Sequence, residues 1–141
     1  MAKKPARPRK QKAPAMPPDR SAAARKILDQ VLGMQLYLVI TEPLRAAGGE
    51  ERFLAHLKHQ VSLEKRGIMF GAGPIQREGD PAPFGGMIVI RAKSFADARR
   101  IFESDPYHKA GARKYKLYRW NLNEGTMTFK VRYTGQTVRI T

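Results

Sequence analysis

The spacing of apolar residues divides the middle of the chain into strand-like and helix-like segments. "MQLYLVI" at 34–40 is nearly continuous in apolar residues, as a central strand buried on both faces requires. Pro43 and two glycines in "EPLRAAGG" break it. Helical spacing then runs over about 50–66. Glu50 and Glu51 sit in its first turn and Lys65 and Arg66 in its last, both suited to the helix dipole, and Gly67 supplies a stop. Phe53, Leu54, Leu57 and Val61 fall within an arc of about 100°, which predicts them as the face turned to the core.

"IMFGAGPI" reads as a second strand, "REGDPAP" as a polar turn and "FGGMIVIRA" as a third strand. Ser94 opens a second helix, with Asp97 three residues on in a capping-box-like arrangement. Phe95, Ala98, Ile101 and Phe102 form its apolar stripe. Asp105-Pro106 ends it, because a residue before proline is pushed out of the helical region. "ARKYKLYRWN" is a fourth strand. The order βαββαβ predicts an α+β, ferredoxin-like sandwich.

The ends read differently. "RSAAARKILDQVLG" predicts a short helix ending at Gly33. At the other end Met127, Phe129, Val131 and Tyr133 alternate with polar residues, and a turn leads into "QTVRIT", which predicts a C-terminal β-hairpin with one apolar face. The reading is therefore a tail at 1–33, a folded domain at 34–123 and an extension at 124–141. Met34, directly before a clean strand, also allows translation to start there.

Charge sharpens the picture of the tail. The formal net charge is +15 over 141 residues. Residues 1–33 hold nine Lys/Arg against two Asp, or +7, which leaves +8 for the other 108. The first 20 residues are rich in Lys, Arg, Pro and Ala and cannot bury enough surface to offset ordering, so they read as disordered. Clustered cations there suit nonspecific contact with nucleic-acid phosphates. The folded part is a poor RNA-binding platform, because "FGGMIVIRA" has no interleaved aromatics after Phe84. No apolar run approaches the roughly 20 residues of a membrane span. The chain has no cysteine, which removes disulfides, thiolate metal sites and a cysteine nucleophile and fits a cytoplasmic setting.

Three histidines are the groups expected to titrate near neutrality. With Phe53 at zero on the wheel, His56 lies at about −60° and His59 at about −120°. That puts His56 on the shoulder of the predicted core face, within reach of a cavity, and His59 further out. Spacing alone is equally met by surface or half-buried histidines with no task. "SDPYHKAG" carries the other candidate. Asp105 suits the N-cap of a short turn with Pro106 at its first position and Gly111 at its end. His108, in that turn, is expected to be exposed. Asp105 can alternatively face a histidine of the first helix, since both helices lie on one side of the sheet. It can do both, one carboxylate oxygen capping and the other meeting imidazole. "GAGP" lacks the glycine fingerprint and following helix of a phosphate loop. No acid–histidine cluster has metal spacing, and no cofactor is called for.

"AHLKHQVSLEKRGIMFGAGPI" followed by "GGMIVIRAKSFADARRIFESDPYHKAGARKYKLYRW" resembles the YciI-like (YCII-related) family, from about Met34 to Trp120. The resemblance implies a dimeric α/β barrel and an active site pairing the helix histidine with the Asp-Pro aspartate, here His56 and Asp105. Some relatives are linked to dehydrochlorination of aromatic intermediates. The expected function is then acid–base chemistry on a small molecule: elimination, isomerisation or hydrolysis. The alternative is a non-catalytic homodimer that binds a ligand or partner. Tyr107 and His108 are candidates for substrate contact.

Overall fold

The computed structural model describes residues 21–45, 48–135 and 137–140. The expected disorder of the first 20 residues and their phosphate contacts lie outside the described residues. The chain divides into two compact units, 35–121 and the two ends taken together.

The larger unit follows the expected order. β1 (Met34–Pro43) leads to α2 (Glu50–Lys65), β2 (Met69–Ile75), β3 (Gly85–Ile90), α3 (Phe95–Glu103), a single turn α4 (Pro106–Lys109) and β4 (Arg113–Leu122), with α1 (Ala22–Leu28) before them. The strands form one sheet in the order β2-β3-β1-β4, the arrangement of a ferredoxin-like α+β fold. β1 and β3 are antiparallel, with Tyr37 opposite Ile90 and Thr41 opposite Gly86. β2 pairs antiparallel on the far side of β3, and its register shifts between Met69 and Gly71, so Phe70 is the extra residue of a bulge. At Gly85 any Cβ would collide with the Thr41 backbone carbonyl, so only glycine lets β3 approach there.

Alternation along β1 sends Tyr37 and Val39 to one side, where they meet Ile88 and Ile90 of β3, Leu63 of α2, and Ala98, Ile101 and Phe102 of α3. This is the core. The other side of the sheet carries Leu36, Leu38, Ile40, Met87 and Val89. Trp120 and Phe70 meet edge to face with centroids 6.5 Å apart. Met87, Tyr118 and Trp120 are exposed.

α3 forms as its sequence predicts. Ser94 caps it by accepting from the Asp97 N–H, Asp97 reaches back to the Lys93 N–H, and Ala98, Ile101 and Phe102 are buried, whereas Phe95, expected in the same stripe, is 41% exposed at the first turn with its ring edge-on to Tyr37. α2 does not. Phe53, Leu54, Leu57 and Val61, expected to face the core, are between 42% and 46% exposed. The buried residue of α2 is Leu63, at about −80° on the same wheel. The helix is rolled so that Arg52, His56, His59 and Gln60 sit on its partly covered side. The reason is polar. A buried carboxylate in the turn after α3 needs partners, and His56 and Gln60 supply them. α2 ends as expected at Gly67, in a left-handed conformation with φ 68°, where the Ile68 and Gly67 N–H groups donate to the Leu63 and Glu64 carbonyls.

In the smaller unit α1 starts at a Ser21 cap and stops at Leu28, short of Gly33. No residue of it is buried, so it lacks the packing that sustains a longer helix. β5 (Phe129–Arg132) and β6 (Thr137–Ile140) form the expected antiparallel hairpin, with Phe129 opposite Ile140. Met127, Phe129, Val131 and Tyr133 are exposed.

Candidate functional site

Asp105 is the centre of the site. It leaves α3 in an extended conformation, φ −66° and ψ 137°, and caps α4 with Pro106 at the first helical position. Its Oδ1 accepts from the Tyr107 N–H at 2.8 Å. Its Oδ2 lies 2.6 Å from His56 Nδ1 and accepts a longer bond from Gln60 Nε2 at 3.4 Å. One carboxylate thus caps and holds an imidazole at once. α4 closes at Gly111, φ 61°, whose N–H donates to the His108 carbonyl.

Helical spacing explains why α2 can answer. His56 and Gln60 are one turn apart and point at the same carboxylate, and His59 falls between them. His59 Nε2 lies 3.4 Å from Ser104 Oγ, and that hydroxyl donates to the Ile101 carbonyl at 2.6 Å. The His56 ring rests tilted against the buried Tyr107 ring, centroids 4.8 Å apart, and the Arg113 guanidinium lies 4.6 Å from the centre of the Tyr107 ring. Gln60 Oε1 is buried and meets no donor among the described residues.

His108 is half-buried rather than exposed. α4 turns it inward, 3.5 Å from Thr41 Oγ1 and edge-on to Tyr115 at 5.2 Å. Tyr115 in turn donates to Glu103 at 2.8 Å and accepts from Arg99 at 3.2 Å.

These surroundings set the charges. Burial pushes the Asp105 carboxyl up, but the hydrogen bonds from His56 and the Tyr107 N–H, with the charges of His56 and His59, outweigh it and leave it below its ordinary value. Burial lowers both His59 and His108, with the Asp105 charge opposing it in each case. An ionised Asp105 can only accept, so the hydrogen of a neutral His56 ring belongs on Nδ1. Nε2 then carries the free lone pair. The His56 side chain keeps 18% of its surface open, against 6% for that of Asp105, so solvent or a small molecule can reach the ring.

A cavity of about 390 Å³ is lined by Gly48, Gly49, Glu51, Arg52, Ala55 and Pro106, and neither His56 nor Asp105 is on its wall. Ala55 precedes His56 and Pro106 follows Asp105. A groove of about 430 Å³ runs along Leu57, Lys58, Val61, Ser62, Lys65 and Arg66. Among the described residues no three His, Asp or Glu groups converge to hold a metal ion. Among them too, no helix is long and apolar enough to cross a membrane.

The fold therefore brings His56 and Asp105 together, puts Tyr107 against the His56 ring, and turns His108 toward β1. Gln60 was not singled out from the sequence, His59 was expected to lie further out than His56 and is partly buried, and Ser104 was not singled out. The signal for the first two was Leu63, which shares their arc of the wheel and fixes the inward side.

A family model described as the YCII-related domain matches residues 36–121. A solved structure of 5-chloro-2-hydroxyhydroquinone dehydrochlorinase from Burkholderia phenoliruptrix AC1100, in complex with 2,5-dihydroxybenzoquinone, is similar to the chain at 23% identity. The similarity covers 60% of this chain and 92% of that one, with a TM-score of 0.47. No curated protein matches the chain.

Proposed function

The chain belongs to the YCII-related domain family, and from that premise we propose that it is a small-molecule enzyme in which His56 and Asp105 do general acid–base work. The observation that carries this reading is the 2.6 Å contact between His56 Nδ1 and a carboxylate already fixed by its own cap. Asp105 holds the ring in the Nδ1–H tautomer and stabilises the imidazolium that forms. His56 Nε2 takes a proton from the substrate and can return it to a leaving group or product. The substrate occupies the cavity beside the starts of α2 and α4. Arg52 lies on its wall. Elimination and isomerisation begin with such a proton transfer, and in hydrolysis the proton comes from the attacking water.

The working unit in this proposal is a homodimer. The sheet side away from the helices leaves Met87, Tyr118 and Trp120 exposed, and a second copy packed there would cover them.

The test is a turnover screen of the full chain against small carboxylates, phenols and halogenated hydroxyaromatics, scored by absorbance change and by chloride release. The proposal expects one class to turn over, and His56→Asn to slow it by about 10²–10⁴-fold, the range of general acid–base catalysis. Equal rates in wild type and variant would contradict the assignment. Binding without turnover would favour the alternative, a ligand-binding domain.

A further inference from the structure

Arg113 is a cation on the inward side of a strand, with no acid to meet it. Alternation along β4 puts Arg113 on the same side as Tyr115 and Leu117, which pack against the core. It is half-buried, and its guanidinium lies over the Tyr107 ring. Among the described residues no carboxylate forms an ion pair with it. The acids of the neighbouring elements are already taken. Both oxygens of Asp105 are occupied, by the Tyr107 N–H on one side and by His56 and Gln60 on the other. Glu103 accepts from Tyr115, and Glu42 pairs with Lys114. An aromatic face answers the charge of a guanidinium only weakly and accepts from none of its in-plane N–H groups. We propose that the missing partner is the substrate: Arg113 binds the carboxylate of a small anionic molecule presented to His56, an assignment of substrate class that rests on the acid–base reading of the His56–Asp105 pair.

The atoms of Arg113 narrow the class. Its Nε is buried and meets no acceptor among the described residues, so the Nη end is the part left open to a ligand. Approached from that end, a guanidinium offers two parallel N–H donors. They match the two oxygens of a carboxylate better than the single oxygen of a phenolate or an alcohol. Burial lowers His108, the Asp105 charge opposes it and the Arg113 charge reinforces it, so His108 is neutral near pH 7 and Arg113 is the fixed cation of this corner.

Tyr107 sets the spacing. The His56 ring centre lies 4.8 Å from the Tyr107 ring centre, and the Arg113 guanidinium carbon lies 4.6 Å from the same point. His56 and Arg113 therefore stand no further apart than those two distances together. A carboxylate carried on one aromatic ring is long enough to be held at one end by Arg113 while its other end meets His56 Nε2. Fixing the anionic end in this way orients the molecule for proton transfer at the other. An arginine that only stacked on Tyr107 would do none of this: its removal would change stability without changing any preference among ligands.

The test uses benzoate as the probe and benzamide as its uncharged counterpart. Each is titrated into the full chain near neutral pH at about 0.15 M salt, which screens the basic tail, and binding is followed by NMR shifts. The proposal expects saturable benzoate binding that moves the His56 and Tyr107 signals and is about tenfold or more tighter than that of benzamide. Arg113→Met, which keeps an unbranched stem over Tyr107, should weaken benzoate by about tenfold or more and leave benzamide unchanged. Arg113→Lys should recover only part of the loss, because it keeps the charge without the fork. If methionine is not tolerated, the lysine variant decides: full benzoate affinity there overturns the two-pronged contact. His56→Asn should bind benzoate as wild type does, so the two readings fail separately. Equal turnover in wild type and His56→Asn contradicts the acid–base reading. Equal benzoate affinity in wild type and Arg113→Met, no preference for benzoate over benzamide, or no saturable benzoate binding at all overturns the carboxylate site.

Discussion

α2 and α3 contribute to the same core, and each carries an apolar stripe at helical spacing, yet α3 buries three of its four stripe residues, leaving Phe95 41% exposed, while α2 buries none of its own. In α3 nothing competes: Ser94 and Asp97 are occupied at the N-terminal cap, and Ala98, Ile101 and Phe102 are free to pack. In α2 the partly covered side is claimed by His56, His59 and Gln60, which answer a nearly buried carboxylate and a serine hydroxyl on the α3–α4 turn. An unpaired carboxylate in that position would cost more than the exposure of a few aliphatic groups. Hydrophobic periodicity reveals that a helix has two sides. Which side faces the core depends on partners elsewhere in the chain.

The largest effect should fall on the helix that obeys its pattern. Phe102→Ala removes a buried ring and is expected to cost about 3–5 kcal/mol in urea unfolding. Leu57→Ala, on the exposed stripe, should cost less than about 1 kcal/mol in dilute protein. If Leu57 proved as costly as Phe102 at every protein concentration, the roll assigned to α2 would be wrong.

A middle-sized effect should separate the two tasks of Asp105. Asp105→Ala loses the cap, about 1 kcal/mol, and leaves donors on His56, Gln60 and Tyr107 unanswered, about 1–3 kcal/mol more. Asp105→Asn keeps a capping oxygen and should cost clearly less. The pH dependence distinguishes them further. Asp105 is held below its ordinary value, 3.8, so its contribution is complete above that value and is lost as pH falls through the lower folded one. His59 and His108 are held below 6.5, so the unfolded chain takes up protons first and stability declines as pH drops below about 6.5. Asp105→Asn should shrink the acid limb and deepen the histidine limb, because the Asp105 charge that opposes the lowering of His59 and His108 is gone. A gap between the wild-type and Asp105→Asn curves that stays constant from above pH 4 to the acid end would contradict this.

Much of this was legible in the sequence because it is local or topological. The alternation of strand and helix patterns gave the order of elements. The Asp-Pro pair marked a cap, and "SFAD" marked the start of α3. The partnership of His56 and Asp105 required the family resemblance, since 49 residues separate them and no spacing rule joins them. The roll of α2 was not legible from its stripe. It was recoverable only from Leu63, which shares an arc with His56, His59 and Gln60 and which the stronger cluster of Phe53, Leu54, Leu57 and Val61 obscured. The inward turn of His108 was hidden for a similar reason: a one-turn helix has too few residues to display a face.

The central claim is that Asp105 holds His56 with Nδ1 protonated and Nε2 free to move a proton. The direct measurement is the tautomer of the neutral His56 ring, read from its ¹⁵N shifts in the full chain and in Asp105→Ser. Serine is also a good cap, so the turn survives, but its side chain is too short to reach the imidazole. The account predicts the Nδ1–H form in wild type and a shift toward Nε2–H in the variant. An Nε2–H ring in wild type, or the same tautomer in both proteins with the turn intact, would contradict it.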